Sequence, residues 1–171
     1  MAFFNNLILT LKSIPPELQI ALVTFLPFLE LRASIPYGIF VLKMHWLAVF
    51  VIAVIANIIL GPLIYFFLDK IIHIFLKIKF IDNIYQRYVE KTQEKIHKYV
   101  EKYGEAAVAI FIGIPLPGSG SYSGALAAYI MGLGYKKFII ANIIGVLIAG
   151  IIVTAIILTG TTAFSFFIKP I

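Results

Sequence analysis

Two stretches of this chain carry no charge for the thickness of a bilayer. Trp46 to Leu68 and Phe138 to Gly160 contain no Asp, Glu, Lys or Arg, and roughly 20 helical residues cross a hydrocarbon core. Both are predicted to be spanning helices. The remaining apolar stretches are too short to span. Leu18 to Leu29 runs into the polar patch Glu30-Leu31-Arg32-Ala33-Ser34-Ile35-Pro36 before Ile39 to Leu42 resumes. Ala106 to Ile114 runs into Pro115-Leu116-Pro117-Gly118-Ser119-Gly120-Ser121 before Ala125 to Leu133. Pro36, Pro115 and Pro117 each lack a backbone donor and disfavour helix in the preceding residue, so they are predicted to break helices. Irregular backbone survives at membrane depth only where protein or water satisfies it. The pattern therefore predicts two hairpins that dip into the membrane and return.

Between these halves, residues 69–104 change character. Tyr85, Tyr88, Val89, Thr92, Ile96, Tyr99, Val100 and Tyr103 recur at helical spacing, and Glu and Lys fill the other face. That reads as an amphipathic connector outside the hydrocarbon. The N-terminal residues 1–16 carry Phe3, Phe4, Leu7, Ile8 and Leu11 at helical spacing, which predicts a segment lying in the interface. The expected organisation is one membrane domain over 1–171. Its parts are the interfacial segment 1–16, repeat one 17–68, the connector 69–104, repeat two 105–160 and a tail 161–171. The fold class is all-α: an inverted repeat of re-entrant hairpin plus transmembrane helix. The strings Ile55-Ala56-Asn57-Ile58-Ile59 and Ile140-Ala141-Asn142-Ile143-Ile144 occupy like positions in the two halves. Asn57 and Asn142 are read as polar glue between helices.

Composition and charge agree with a bilayer as solvent. Of 171 residues, 61% are apolar or aromatic and 13% charged, and mean hydropathy is +1.01, against about a quarter charged in soluble domains. The net charge of +6 comes mostly from lysines between Lys70 and Lys102. The positive-inside rule puts that segment in the cytoplasm and leaves Lys12, Lys43 and Lys169 outside. Nucleic-acid binding is not expected, because no basic, aromatic soluble domain surrounds the cluster. There is no cysteine, His45, His73 and His97 are scattered without metal-ligand spacing, and no nucleophile–base pattern or nucleotide fingerprint is present. No enzymatic activity, metal or cofactor is expected.

Chemistry concentrates at the two breaks. A charge at the bilayer centre costs about 2.5–3.5 kcal/mol on insertion scales, and such residues usually serve function. Glu30 is a candidate for proton coupling, Arg32 for holding a carboxylate or phosphate. A purely structural Glu30–Arg32 pair is the alternative. The returning half-helices would aim their N-termini at the midplane, where unpaired N–H groups favour anions. Candidate substrate contacts are Arg32, Ser34 and Tyr37 in the first break, and Gly118, Ser119, Gly120, Ser121, Tyr122 and Ser123 in the second.

Pro27-Phe28-Leu29-Glu30-Leu31-Arg32-Ala33-Ser34-Ile35-Pro36-Tyr37-Gly38 and the stretch from Phe111 to Ala128 resemble the two signatures of the small multidrug export protein family. Ser119-Gly120-Ser121-Tyr122 stands where Thr-Gly-Ala-Trp is more usual. The plan is also similar to the DedA group, whose facing re-entrant hairpins carry acidic and arginine residues and some of whose members are linked with lipid-phosphate carriers. The resemblance to the export family implies proton-coupled export of cationic drugs; the residues favour an amphiphile with an anionic, phosphate-type head, moved by a small transporter or flippase. A non-transporting membrane scaffold is the third reading. Expected partners are membrane lipids, that substrate, protons and a second copy of the chain as a homodimer. The expected location is the plasma membrane of a prokaryote, multi-pass, with the basic segment cytoplasmic.

Overall fold

The computed structural model describes residues 14–27, 29–75, 91–116 and 118–167. The interfacial stripe from Phe3 to Leu11, the middle of the connector and Pro117 lie outside these residues. All regular structure among the described residues is helical. In chain order the helices are α1 (Pro16–Thr24), α2 (Glu30–Pro36), a π-helical turn (Tyr37–Val41), α3 (Trp46–Phe75), α4 (Lys91–Gly113), α5 (Ser121–Ile130) and α6 (Tyr135–Phe167). Contacts group the chain into two compact units, residues 1–56 with 150–171, and residues 57–149.

α3 and α6 contain the two expected spans. Trp46–Ile71 and Tyr135–Gly160 are each 26 residues with a hydropathy of 2.7, about 39 Å of helix. Both helices outrun the uncharged stretches because lysine interrupts an apolar run without interrupting a helix. Their outward faces are also apolar. Val51, Ile55, Ile59, Leu63 and Phe66 on α3, and Ile140, Ile144, Leu147 and Ile151 on α6, are exposed. Large apolar residues on both the buried and the open sides of a helix are what a lipid solvent permits.

α1 starts where Pro16 occupies the first turn, the position at which a missing N–H is harmless. It ends at Thr24, and Pro27 prevents its resumption. This corrects the expected position of the first break. The chain turns around Pro27, and the patch from Glu30 to Pro36 is helical, packed on α1. Pro36 lies inside α2 and does not end the helical path. Its absent donor falls where the ladder changes register: Leu42 N–H donates to Tyr37 O at 3.1 Å, closing a π-type turn.

In the first unit, Ile20, Leu31, Ile35, Val49 and Ala53 form the core. Gly38 lets the π turn press on Val49, since a Cβ there would lie 2.6 Å from a Val49 methyl. In the second unit, α4 is continuous through Gly104, so the charged connector and the apolar arm are one helix. α5 packs back on α4. Gly113 faces Ile148, and Gly145 faces Ala109 and Ile112. These pairs advance together along both helices, so α4 and α6 run parallel.

Gly145 is the tightest point of that packing. An added Cβ would lie 2.6 Å from Ile112 Cβ and 2.7 Å from the Ala109 carbonyl oxygen. Overpacking of this kind costs about 1–3 kcal/mol, against about 1 kcal/mol of helix propensity gained. Gly145→Ala should therefore lower the melting temperature of the purified protein in detergent, whereas Gly134→Ala, with nothing within 4 Å, should not. Equal melting of the two variants would refute the close α4–α6 contact.

Candidate functional site

The first unit holds the charged break. Glu30 opens α2 with a φ of 46° and is only 3% exposed. A left-handed backbone costs a residue with a side chain roughly 1–2 kcal/mol. Non-glycine residues held this way cluster at functional sites. Arg32, two positions on, is partly exposed and attracted by the Glu30 charge. The pair is therefore unequal: Glu30 is buried, while Arg32 is partly exposed with its Nε inside.

The other expected contacts of this break are engaged in holding α2 to α1. Ser34 is fully buried, with its Oγ 2.7 Å from Thr24 Oγ1. Thr24 Oγ1 is also 2.8 Å from Ile20 O. One hydroxyl proton serves one strong bond, so Thr24 can donate to the Ile20 carbonyl only if Ser34 donates to Thr24. Tyr37 O–H donates to Gln19 Oε1 at 2.7 Å, and Gln19 Nε2 donates to Ile14 O at 2.8 Å. Thr24 and Gln19 were not singled out from the sequence. Gln19 could have been, as a lone amide in an apolar run; Thr24 carries no such signal.

The second unit holds the uncharged break. α4 ends at Gly113, Pro115 follows, and α5 begins at Ser121. Gly118 and Gly120 have φ of 86° and 130°, which side chains disfavour. The Ser119 hydroxyl lies against Ile114 O and 2.9 Å from Leu116 O, and Leu116 N–H donates to Ser119 Oγ at 3.3 Å. That hydroxyl ties the loop to itself. Ser121 is fully buried and donates to Asn142 Oδ1 at 2.8 Å. Asn142 Nδ2 in turn donates to Ile58 O at 3.3 Å. Asn142 thus bolts the start of α5 and the middle of α3 to α6, the gluing role expected of it. Gly61 makes the room: a Cβ there would lie 2.5 Å from the Asn142 amide. Tyr122 and Ser123 remain partly exposed at the first turn of α5, whose N-terminus has no side-chain cap.

One anchor in this unit was not foreseen. Tyr65 O–H donates to Leu133 O at 2.7 Å, and its ring stacks on Phe138 with centroids 5.0 Å apart. It fixes the turn that follows α5. Nothing in the apolar run around Tyr65 distinguishes it from an interface aromatic.

Among the described residues, two helices are long and apolar enough to cross a membrane, which agrees with a membrane protein. The chain belongs to the family described as "Putative small multi-drug export protein", whose profile matches residues 30–152. That match begins at Glu30, so it takes in α2 and the whole second break but not the turn around Pro27. Comparison with curated proteins and with solved structures returned no match.

The Glu30 backbone gives a direct check. Glu30→Gly removes the left-handed penalty and Glu30→Ala keeps it, although both remove the carboxylate. The glycine variant should be more stable by about 1 kcal/mol in reversible unfolding in detergent. If alanine is as stable as glycine, Glu30 is not held at positive φ.

Proposed function

We propose that the protein is a small transporter or flippase that moves an amphiphile with an anionic, phosphate-type head, with Arg32 as its charged contact. The observation that carries this is the inequality of the Glu30–Arg32 pair. Glu30 is 3% exposed while Arg32 is partly exposed, so of the two charged residues the cationic one is the more accessible to a ligand. A guanidinium presents a planar fork suited to phosphate oxygens. Tyr122, Ser123 and the uncapped N-terminus of α5 supply neutral donors at the second break. Ser34, Ser119 and Ser121 support the frame that holds these groups.

On this reading each break lies in a re-entrant pair, in an inverted, DedA-like plan that alternates access. Support comes from the second unit: α4 and α6 run parallel, so α5 must carry the chain back between them. Glu30 is the coupling group on this reading, reached by solvent only when a conformational change opens it.

The test is exchange of a fluorescent phosphatidic acid between the leaflets of proteoliposomes. Arg32→Ala should reduce protein-dependent exchange about tenfold or more, as expected for loss of a charge-assisted contact, and Arg32→Lys should retain part of it. Unchanged exchange in Arg32→Ala would sink the proposal. The family's description favours a second reading, proton-coupled export of cations. A proton flux driven by a quaternary ammonium dye and abolished by Glu30→Gln, with no lipid exchange, would establish it instead. Re-entrance has its own check: single cysteines at positions 14 and 44 should label from the same face of the membrane, and labelling from opposite faces would remove the first hairpin.

A further inference from the structure

The second unit carries a groove that the transport reading does not use. It has a volume of about 480 Å³ and lies between α4 and α6, with Ala106, Ala109 and Ile110 on one wall and Ala141, Ile144 and Ile148 on the other. That volume falls within the range of small-molecule sites, about 300–1,000 Å³. Its walls follow from helical spacing. Positions 106, 109 and 110 share a face of α4, and 141, 144 and 148 share a face of α6. The alanines leave the slot open, and the isoleucines make it apolar.

One end of the groove is charged. Lys102 and Glu105 line it there, one turn before Ala106 and Ala109 respectively. The facing helix adds a further cation. Gly145 faces Ala109 and Gly113 faces Ile148, and carrying that parallel register back sets Lys102 level with Lys137 and Phe138. Lys137 is exposed and lies one turn before Ala141, which lines the groove. Tyr103 and Tyr135 are exposed at the same level. Lysine and tyrosine together are characteristic of the membrane–water interface, where a long lysine side chain keeps its amine at the headgroups. Lys102 Nζ lies over the Tyr103 ring, 5.0 Å from its centroid, a surface contact that a phosphate could displace. From Lys102 to Ile110 the groove descends about 12 Å, most of the ~15 Å depth of one leaflet.

We infer that this groove is a binding site for one phospholipid whose head carries a phosphate and an amine. An acyl chain occupies the alanine-floored slot. Lys102 and Lys137 hold the phosphate, and Glu105 holds the ammonium. The two lysines favour any phosphate head; Glu105, at the same end of the groove as Lys102, selects a zwitterionic head over a purely anionic one. The site is separate from Arg32 and stands whether or not the chain moves lipid.

Native mass spectrometry of the full chain in detergent tests this. It is done in wild type and in Arg32→Ala, so that loss of the transport contact is distinguished from loss of the groove. Phosphatidylethanolamine should be retained as one adduct in both, above phosphatidic acid, and diacylglycerol should not be retained. The Lys102→Ala, Lys137→Ala double variant should weaken retention about tenfold or more. Glu105→Gln should abolish the preference for phosphatidylethanolamine over phosphatidic acid. Ala106→Phe should fill the slot and prevent binding, whereas Ala107→Phe, on the exposed side of the same helix, should not. Retention unaffected by Ala106→Phe, or equal retention of diacylglycerol, overturns the proposal. So does a lipid-independent dimer that Ala106→Phe dissociates, because the groove face would then be a contact between copies.

Discussion

Every polar group that this chain carries into an apolar solvent must find its partner within the protein. That constraint shapes both breaks. Pro27 and Pro115 follow the ends of helices, where backbone groups lose their helical partners. In the first unit, Thr24, Ser34, Tyr37 and Gln19 form side-chain bonds that fasten α2 and the π turn to α1. In the second, Ser119 closes the loop on itself and Asn142 collects Ser121 and the Ile58 carbonyl. These hydroxyls and amides fasten together the elements around each break.

Few polar groups of the two breaks stay exposed. Ser34 and Ser121 are buried in the frame, whereas Arg32, Tyr122 and Ser123 retain exposure. Glu30 adds a second tension. A carboxylate is sealed from solvent at a backbone angle better suited to glycine. A residue that strains both the backbone and the burial of charge needs compensation from its surroundings. The family match begins at Glu30 and takes in Arg32.

Close helix packing is the counterpart of these polar bolts. In lipid there is little hydrophobic force between helices, so contact area and small residues take over. Gly61 admits the Asn142 amide, Gly124 admits Ile112, and Gly145 admits Ala109 and Ile112. Where alanines stand instead, at 106, 109 and 141, the same helices leave a slot. The α4–α6 contact thus passes from close packing at Gly145 to a groove within one or two turns.

Much of the helical plan was legible from residue order. Uncharged runs identified α3 and α6, because length and apolarity are local properties that a bilayer reads directly. Pro115 with Gly118 and Gly120 located the second break, because missing donors and positive φ are also local. The first break was displaced because two prolines flank the polar patch: Pro27 turns the chain, whereas Pro36 is absorbed by a shift to π-type bonding. Only tertiary contacts with α1 settle that choice. The same contacts decided which serines are bolts and which polar groups stay open. Sequence alone specified what kinds of groups enter the membrane; the packing of α1 on α2, and of α4 and α5 against α6, decided which of them face one another. A hydrogen bond depends on positions in space that distant residues share, and no local pattern encodes them.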